Sequence, residues 1–83
     1  MQDEFNVKRL RQEFGAVIRK RRVKLGLSQE VFAEKADIHR TYVSGIELGK
    51  RDVGISVGFK LARALKTTLS KLIKITEDQK NPL

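Results

Sequence analysis

The chain has 83 residues, of which 40% are hydrophobic and 34% are charged, and its formal net charge is +8. This length fits one small domain, and the absence of cysteine excludes a disulfide framework or a cysteine-based metal site and fits a cytoplasmic protein. No apolar run approaches the ~20 residues of a membrane-spanning helix, and the amino terminus lacks the apolar segment of a secretory signal. The positive charge favours a polyanionic partner, nucleic acid ahead of a membrane surface.

The first predicted helix runs from Val7 to Leu25, because apolar residues recur there at helical spacing. The predicted buried stripe contains Val7, Leu10, Phe14, Val17, Ile18 and Leu25. A basic amphipathic helix could lie on a membrane, but this stripe is needed to cover the other helices. Gly26 ends the helix, and the polar residues 1–6 are expected to be a flexible terminus.

The second predicted helix begins at Ser28, a good N-cap residue, and lasts about two turns to Ala36. Its inner side is predicted to contain Val31, Phe32 and Ala36. Asp37 follows in a turn position, where aspartate is one of the few residue types besides glycine that tolerate a left-handed conformation. Ile38 is expected to point into the core.

The third predicted helix runs from Arg40 to Leu48 and turns Val43 and Ile46 towards the core. Two helices of about eight residues are each too short to be stable alone. The short link between them forces a steep crossing, and Ala33 supplies the small side chain that such a crossing needs. The third helix is therefore expected to project, with one face inward and one face bare.

Two further helices are predicted in the carboxyl-terminal half. One covers residues 55–65, and the other begins behind the capping residue Thr68 and covers residues 69–75. The polar residues 76–83 are expected to form a flexible tail. No strand pattern or internal repeat is evident in the sequence, so the predicted fold is all-α, a compact bundle of five helices over residues 7–75.

The bare face of the third helix carries short polar side chains and one arginine, which suits the major groove of double-stranded DNA. Arg40 lies in the first turn, where it can make bidentate contact with guanine. Thr41 can bond to a base edge or offer its methyl group to thymine, and Ser44 lies one turn beyond Arg40. These three residues are the predicted base-reading set, and Gly45 beside them is expected to permit close approach.

Neighbouring polar residues are candidates for contact with the DNA backbone. Gln29 opens the second helix, while Lys50 and Arg51 follow the third. His39 is suited either to a phosphate contact or to the start of the third helix, and a single histidine does not make a metal site. Tyr42 is either partly buried or a phosphate donor.

The run from residue 25 to residue 51 resembles the helix-turn-helix family of Cro and phage repressors, also called the XRE family. The features that carry the resemblance are Gly26-Leu27-Ser28-Gln29, Ala33, Ile38, Val43-Ser44, Ile46-Glu47 and Gly49. Residues 40–47 are most similar to the controller proteins of restriction–modification systems. The resemblance covers residues 14–75 and implies a fold of the lambda-repressor-like DNA-binding type.

The resemblance implies a transcription regulator that binds a partly palindromic operator as a homodimer. RNA polymerase is a further partner if the regulator activates transcription. The family also has an ion pair at the positions of Arg22 and Glu47, and the residues agree, since Glu47 is the only acid of the third helix. Three departures from the family pattern are Asp37 for the usual turn glycine, Gly54 for a helix cap, and Gly58-Phe59 for a simpler apolar pattern.

The carboxyl-terminal half contains more apolar residues than a domain this small needs, which favours a dimer surface there. The residues predicted to form it are Phe59, Leu69, Leu72, Ile73 and Ile75. Catalysis is poorly supported, because the only carboxylates paired on one helix face, Glu30 and Glu34, are expected to be solvated, and no metal or cofactor is expected. Two other classes stay open: an antitoxin whose main partner is a toxin protein, and a protein-binding coactivator module.

Overall fold

The computed structural model describes residues 5–79, which form five α-helices and confirm the predicted all-α fold. The helices are α1 (Val7–Lys24), α2 (Gln29–Ala36), α3 (Arg40–Glu47), α4 (Ile55–Ala64) and α5 (Leu69–Asp78). Within this part of the chain, no helix is both long and apolar enough to cross a membrane. The expected flexible ends lie outside the described residues at positions 1–4 and 80–83.

Side-chain caps begin three of the helices. Asn6, Ser28 and Thr68 each accept the amide hydrogen of the residue three positions ahead, at 3.0, 3.0 and 3.2 Å. The predicted caps at Ser28 and Thr68 are therefore confirmed. His39 and Gly54 occupy the N-cap positions of α3 and α4 without a side-chain hydrogen bond, so those two helices depend more on packing.

The turn between α2 and α3 is closed by Asp37 in the left-handed conformation, with φ of 58°. This confirms the role predicted for an aspartate in place of glycine. The amide of Ile38 then donates to the carbonyl of Ala33 at 3.0 Å, which turns the chain back on α2. Ala33 itself is buried. The tight turn and the small buried side chain together bring α3 across α2.

The core lies between all five helices. Its buried apolar residues are Val17, Ile18, Phe32, Ala33, Ala36, Val43, Ile46, Leu61, Ala62, Ala64, Leu65 and Leu72. α1 packs against α3 and α5, while α4 packs against α2 and α5. α3 therefore has its inner side covered by α1 and α2, and its opposite side is left free.

α1 and α3 meet in backbone contact at Gly15. A methyl group at this position would overlap the carbonyl oxygen of Ile46, and it would also press on the carbonyl of Glu47. The glycine is buried and lies in the middle of α1, where it costs helix propensity. We infer that close approach of the two helices is the reason for a glycine at this position.

Three expectations about the helices are wrong. Val7 and Leu10 are 43% and 40% exposed, because α1 has 18 residues and reaches beyond α3, which has 8. Val31 is also exposed, on the outer side of α2. α5 continues past Ile75 to Asp78, and residues 76–78 belong to this helix rather than to a flexible tail. The buried hydroxyl of Thr76 donates to the carbonyl of Leu72 at 2.8 Å, which hides a polar residue inside the fold.

Candidate nucleic-acid interface

A buried ion pair fixes the inner side of α3. Arg22 donates from Nε and Nη2 to the two carboxylate oxygens of Glu47, at 2.6 and 2.9 Å, and from Nη1 to the carbonyl of Leu27 at 2.7 Å. The side chains are only 11% and 2% exposed. The hydrogen bond to Glu47 raises the pKa of Arg22 and outweighs the opposing effect of burial. The pair ties the end of α1 to α3 and to the start of α2.

Gln29 belongs to the same network. Its side-chain nitrogen donates to Oε1 of Glu47 at 3.0 Å, and the residue is partly buried. Gln29 is predicted to contact the DNA backbone, but one N–H of its side-chain amide is already bonded to Glu47 within the protein. Its second N–H remains for an outside partner.

The outer side of α3 presents the three predicted base-reading residues together. Arg40 and Thr41 are exposed and Ser44 is partly exposed, opposite the buried Val43 and Ile46. Among residues 5–79, no side-chain hydrogen bond engages any of these three polar groups. They are therefore available to a molecule that approaches this face.

Arg51 lies back over the surface of α3. Its guanidinium carbon is 5.1 Å from the ring centroid of Tyr42, a cation–π arrangement. A methyl group on Gly45 would lie 3.0 Å from both Cγ and Cδ of Arg51. The space at Gly45, expected to admit DNA, is therefore occupied by the stem of Arg51. Tyr42 is partly buried against the core, as the first of its two predicted alternatives requires.

Two other candidates for backbone contact are exposed at the ends of α3. His39 is the N-cap residue, which is the helix-start position named among its alternatives. Lys50 follows the helix, and its amide donates to the carbonyl of Gly45 at 2.8 Å while its side chain is exposed. The structure thus places the exposed, positively charged side chain of Lys50 just beyond the carboxyl end of α3.

A second ion pair joins α1 to the segment after α3. Arg11 donates from Nε and Nη2 to the two carboxylate oxygens of Asp52, at 2.8 and 2.9 Å. Arg11 holds the pKa of Asp52 below its usual value, chiefly through the hydrogen bond. Nothing in the sequence marks this pair, because the residues are 41 positions apart and Arg11 is one of many basic residues on α1.

The residues predicted to form a dimer surface do not share one face. Phe59 and Ile73 are 58% and 43% exposed and line a groove between α4 and α5 with the partly buried Leu69. Ile75 is exposed in a different groove, between α1 and α5. The prediction for Leu72 is wrong, because this side chain is only 1% exposed and fills the core.

Comparisons with known proteins identify the family and agree with the all-α fold. A family model described as helix-turn-helix matches residues 18–72. The control protein C.MunI from Mycoplasma is 43% identical over 67 residues, which span 80% of this chain and 90% of that protein. C.BamHI from Bacillus amyloliquefaciens is 39% identical over 64 residues, 76% of this chain and 79% of that protein. The crystal structure of the restriction-modification controller protein C.AhdI from Aeromonas hydrophila has a TM-score of 0.73 and 39% identity, covering 75% of this chain and 94% of that chain.

Proposed function

The chain belongs to the helix-turn-helix family of DNA-binding transcription regulators and is similar to restriction–modification control proteins. From this premise, we propose that the protein is a homodimeric controller that binds a partly palindromic operator. In this proposal the protein binds DNA and catalyses no reaction, and it acts in the cytoplasm. Occupation of a promoter would block RNA polymerase, and activation would need a direct contact with that enzyme. The observation that carries the proposal is the outer face of α3, where polar side chains are free while the inner face is fixed.

In this proposal α3 enters the major groove. Arg40, Thr41 and Ser44 read base edges, because Arg pairs with guanine and the hydroxyls can bond to either kind of base edge. Two copies of α3 would occupy successive major grooves about 34 Å apart. The two-fold symmetry of such a dimer accounts for a partly palindromic operator, and the spacing sets the distance between its half-sites.

The affinity and orientation come from contacts with phosphates, which carry no sequence information themselves. Lys50 and Arg51 supply positive charge beside α3, and His39 and Tyr42 lie at its first turn. Gln29 would contact a phosphate through the second N–H of its side-chain amide, since the first donates to Glu47. The net charge of +8 supports binding that weakens steeply with salt.

The proposed dimer surface is the groove between α4 and α5. Phe59 and Ile73 both expose apolar side chains to this groove, and the partly buried Leu69 also lines it. Exposed apolar patches of this kind are typical of surfaces that meet another protein. Ile75 lies on the other side of α5 and would join only at the edge of such an interface.

Footprinting on the DNA upstream of the protein's own gene tests the operator. Arg40→Ala is expected to weaken specific binding by about 1–3 kcal/mol per contacted base pair and to leave the melting temperature unchanged. Arg63→Ala, an exposed arginine on α4, is the matched control. An equal loss on all DNA sequences would reduce Arg40 to a phosphate contact, and no protected region would reject the operator proposal.

Sedimentation at micromolar concentration tests the dimer. We expect a species of twice the 9.5 kDa chain mass, and we expect Ile73→Asp to convert it to monomer by placing a charge in the apolar groove. Lys71→Asp, at an exposed position of the same helix, is the control. A parent protein that sediments only at 9.5 kDa contradicts the proposal.

A further inference from the structure

The loop between α3 and α4, residues 48–54, is fixed to α1 at two points. Gly49 lies against the backbone of Gln12, so closely that a methyl group on Gly49 would come within 2.9 Å of the Gln12 Cα. Three residues later, Asp52 accepts the two hydrogen bonds from Arg11. Between these two attachments the loop contains only Lys50 and Arg51, the two residues proposed to meet phosphates.

The position of Asp52 is unusual for a surface that meets a polyanion. Its side chain is 72% exposed, so it makes no contribution to the core. A free carboxylate beside Lys50 and Arg51 would repel phosphate. Paired with Arg11, its charge is balanced, and the two parallel hydrogen bonds fix its direction as well as its distance.

Arg51 precedes Asp52 directly, so the attachment of Asp52 restricts where the Arg51 side chain begins. That side chain runs over Gly45 and places its guanidinium 5.1 Å from the Tyr42 ring. A loop free to move at Asp52 would not hold this placement. The stacking on α3 and the attachment to α1 therefore hold Arg51 from both sides.

We propose that Arg11 is a positioning residue for DNA binding: its paired hydrogen bonds to Asp52 hold the 48–54 loop so that Lys50 and Arg51 face the DNA backbone. The inference rests on the proposed DNA interface. It requires no contact between Arg11 and DNA. We expect only a small contribution of the pair to stability, because the Asp52 carboxylate is 72% exposed and its charge is screened by water and salt.

The direction in which Asp52→Asn changes the DNA affinity tests the proposal. Removal of an acidic charge from the DNA-binding side should tighten binding if charge alone matters. Positioning predicts the opposite, a dissociation constant raised on the order of tenfold, as expected when one charged hydrogen bond to DNA is misplaced. Unchanged or tighter binding by Asp52→Asn would overturn the proposal.

Arg11→Ala and Arg9→Ala form a matched pair on one helix. Arg9 bonds to Glu13 on α1 at 2.9 Å, so its removal changes the same charge without reaching the loop. Arg11→Ala is expected to weaken operator binding on the order of tenfold and to flatten the salt dependence by about one to two units, as Lys50 and Arg51 lose phosphates. Equal losses in the two variants would overturn the positioning role.

A readout without DNA separates this inference from the function on which it rests. Tyr42 is the single tyrosine, so its ring shifts the NMR signals of the Arg51 side chain above it. We expect these shifts to disappear in Arg11→Ala, to persist in Arg9→Ala, and to return when Arg11→Asp is combined with Asp52→Arg. Shifts that persist in Arg11→Ala would contradict the inference even if the parent protein binds its operator. A parent protein that binds no operator would contradict the proposed function, and loss of the shifts in Arg11→Ala would then still show that Arg11 holds the loop.

Discussion

Two arginines of α1 make the same kind of contact in different surroundings. Arg11 and Arg22 are 11 residues apart, which is about three helical turns, so they share one side of the helix. Each donates two hydrogen bonds to a carboxylate, Arg22 to Glu47 in α3 and Arg11 to Asp52 in the following loop. The Arg22 pair is buried, and the Arg11 pair is open to water.

Because the hydrogen-bond geometry is similar in both pairs, we expect burial to decide how much each contributes to stability. A buried charge that loses its partner is left without water, and this destabilises the fold strongly. An exposed charge that loses its partner is hydrated and screened by salt. We therefore expect the end of α1 near Arg22 to control folding, and the end near Arg11 to control where a loop lies.

The largest expected effect comes from the buried pair. Glu47→Ala should reduce the free energy of unfolding by about 3–5 kcal/mol, because Arg22 then remains buried and unpaired. Chemical denaturation measures the loss, and Glu34→Ala, an exposed acid on α2, is the control. A denaturation midpoint equal to that of the parent would mean that burial does not distinguish the two pairs.

The second effect concerns Gly15, which lies between the two arginines at the closest approach of α1 and α3. An alanine in a helix normally gains about 1 kcal/mol over glycine. Here we expect Gly15→Ala to lower the free energy of unfolding by about 1–3 kcal/mol, since the added methyl overlaps the Ile46 carbonyl. Ala16→Gly, at the exposed neighbouring position, measures the propensity alone. A stabilised Gly15→Ala protein would show that the helices can separate without loss.

The smallest effect is the acid response of the exposed pair. Because the pKa of Asp52 is lowered in the folded protein, its pairing stabilises the fold at a pH above the ordinary aspartate value of about 3.9. That contribution disappears as the pH falls through the lowered folded-state pKa. The melting temperatures of the parent and Asp52→Asn should therefore differ slightly at neutral pH and converge in acid. Parallel curves down to pH ~2 would show that the pair does not affect stability at all.

The local parts of the structure could be predicted from the sequence. Ser28 and Thr68 are capping residues next to periodic apolar runs, and Asp37 is a residue type that accepts a left-handed turn. The division of α3 into an inner and an outer side follows from the spacing of Val43 and Ile46. These features depend on neighbours within a few positions, and such neighbours can be read from the chain.

Spacing and composition do not predict most features that depend on distant parts of the chain. The Arg22–Glu47 pair, which joins residues 25 positions apart, is expected only because of the family resemblance. The partner of Arg11 lies 41 residues away, and the need for glycine at position 15 depends on the path of α3. In α5, Leu72 and Ile73 are adjacent and both apolar, so periodicity alone did not show that the first fills the core and the second is exposed. Thr76 is a local exception: its polar side chain favours a flexible tail, yet the residue is buried in α5, where its hydroxyl donates to the carbonyl of Leu72 in the same helix.

The stem of Arg51 over Gly45 has a consequence for the engineering of new operator preferences. Positions 40, 41 and 44 make no side-chain hydrogen bonds within residues 5–79, so a library can vary them freely. Position 45 is different, because a methyl group there would lie 3.0 Å from the Arg51 stem, so a side chain at this position would press on Arg51 where it stacks on Tyr42. If α3 reads bases and Arg51 meets a phosphate, as proposed, a selection that randomises all of α3 would also disturb Arg51 and lose variants for that reason alone. Positions 45 and 51 are in contact, so a library should vary them together.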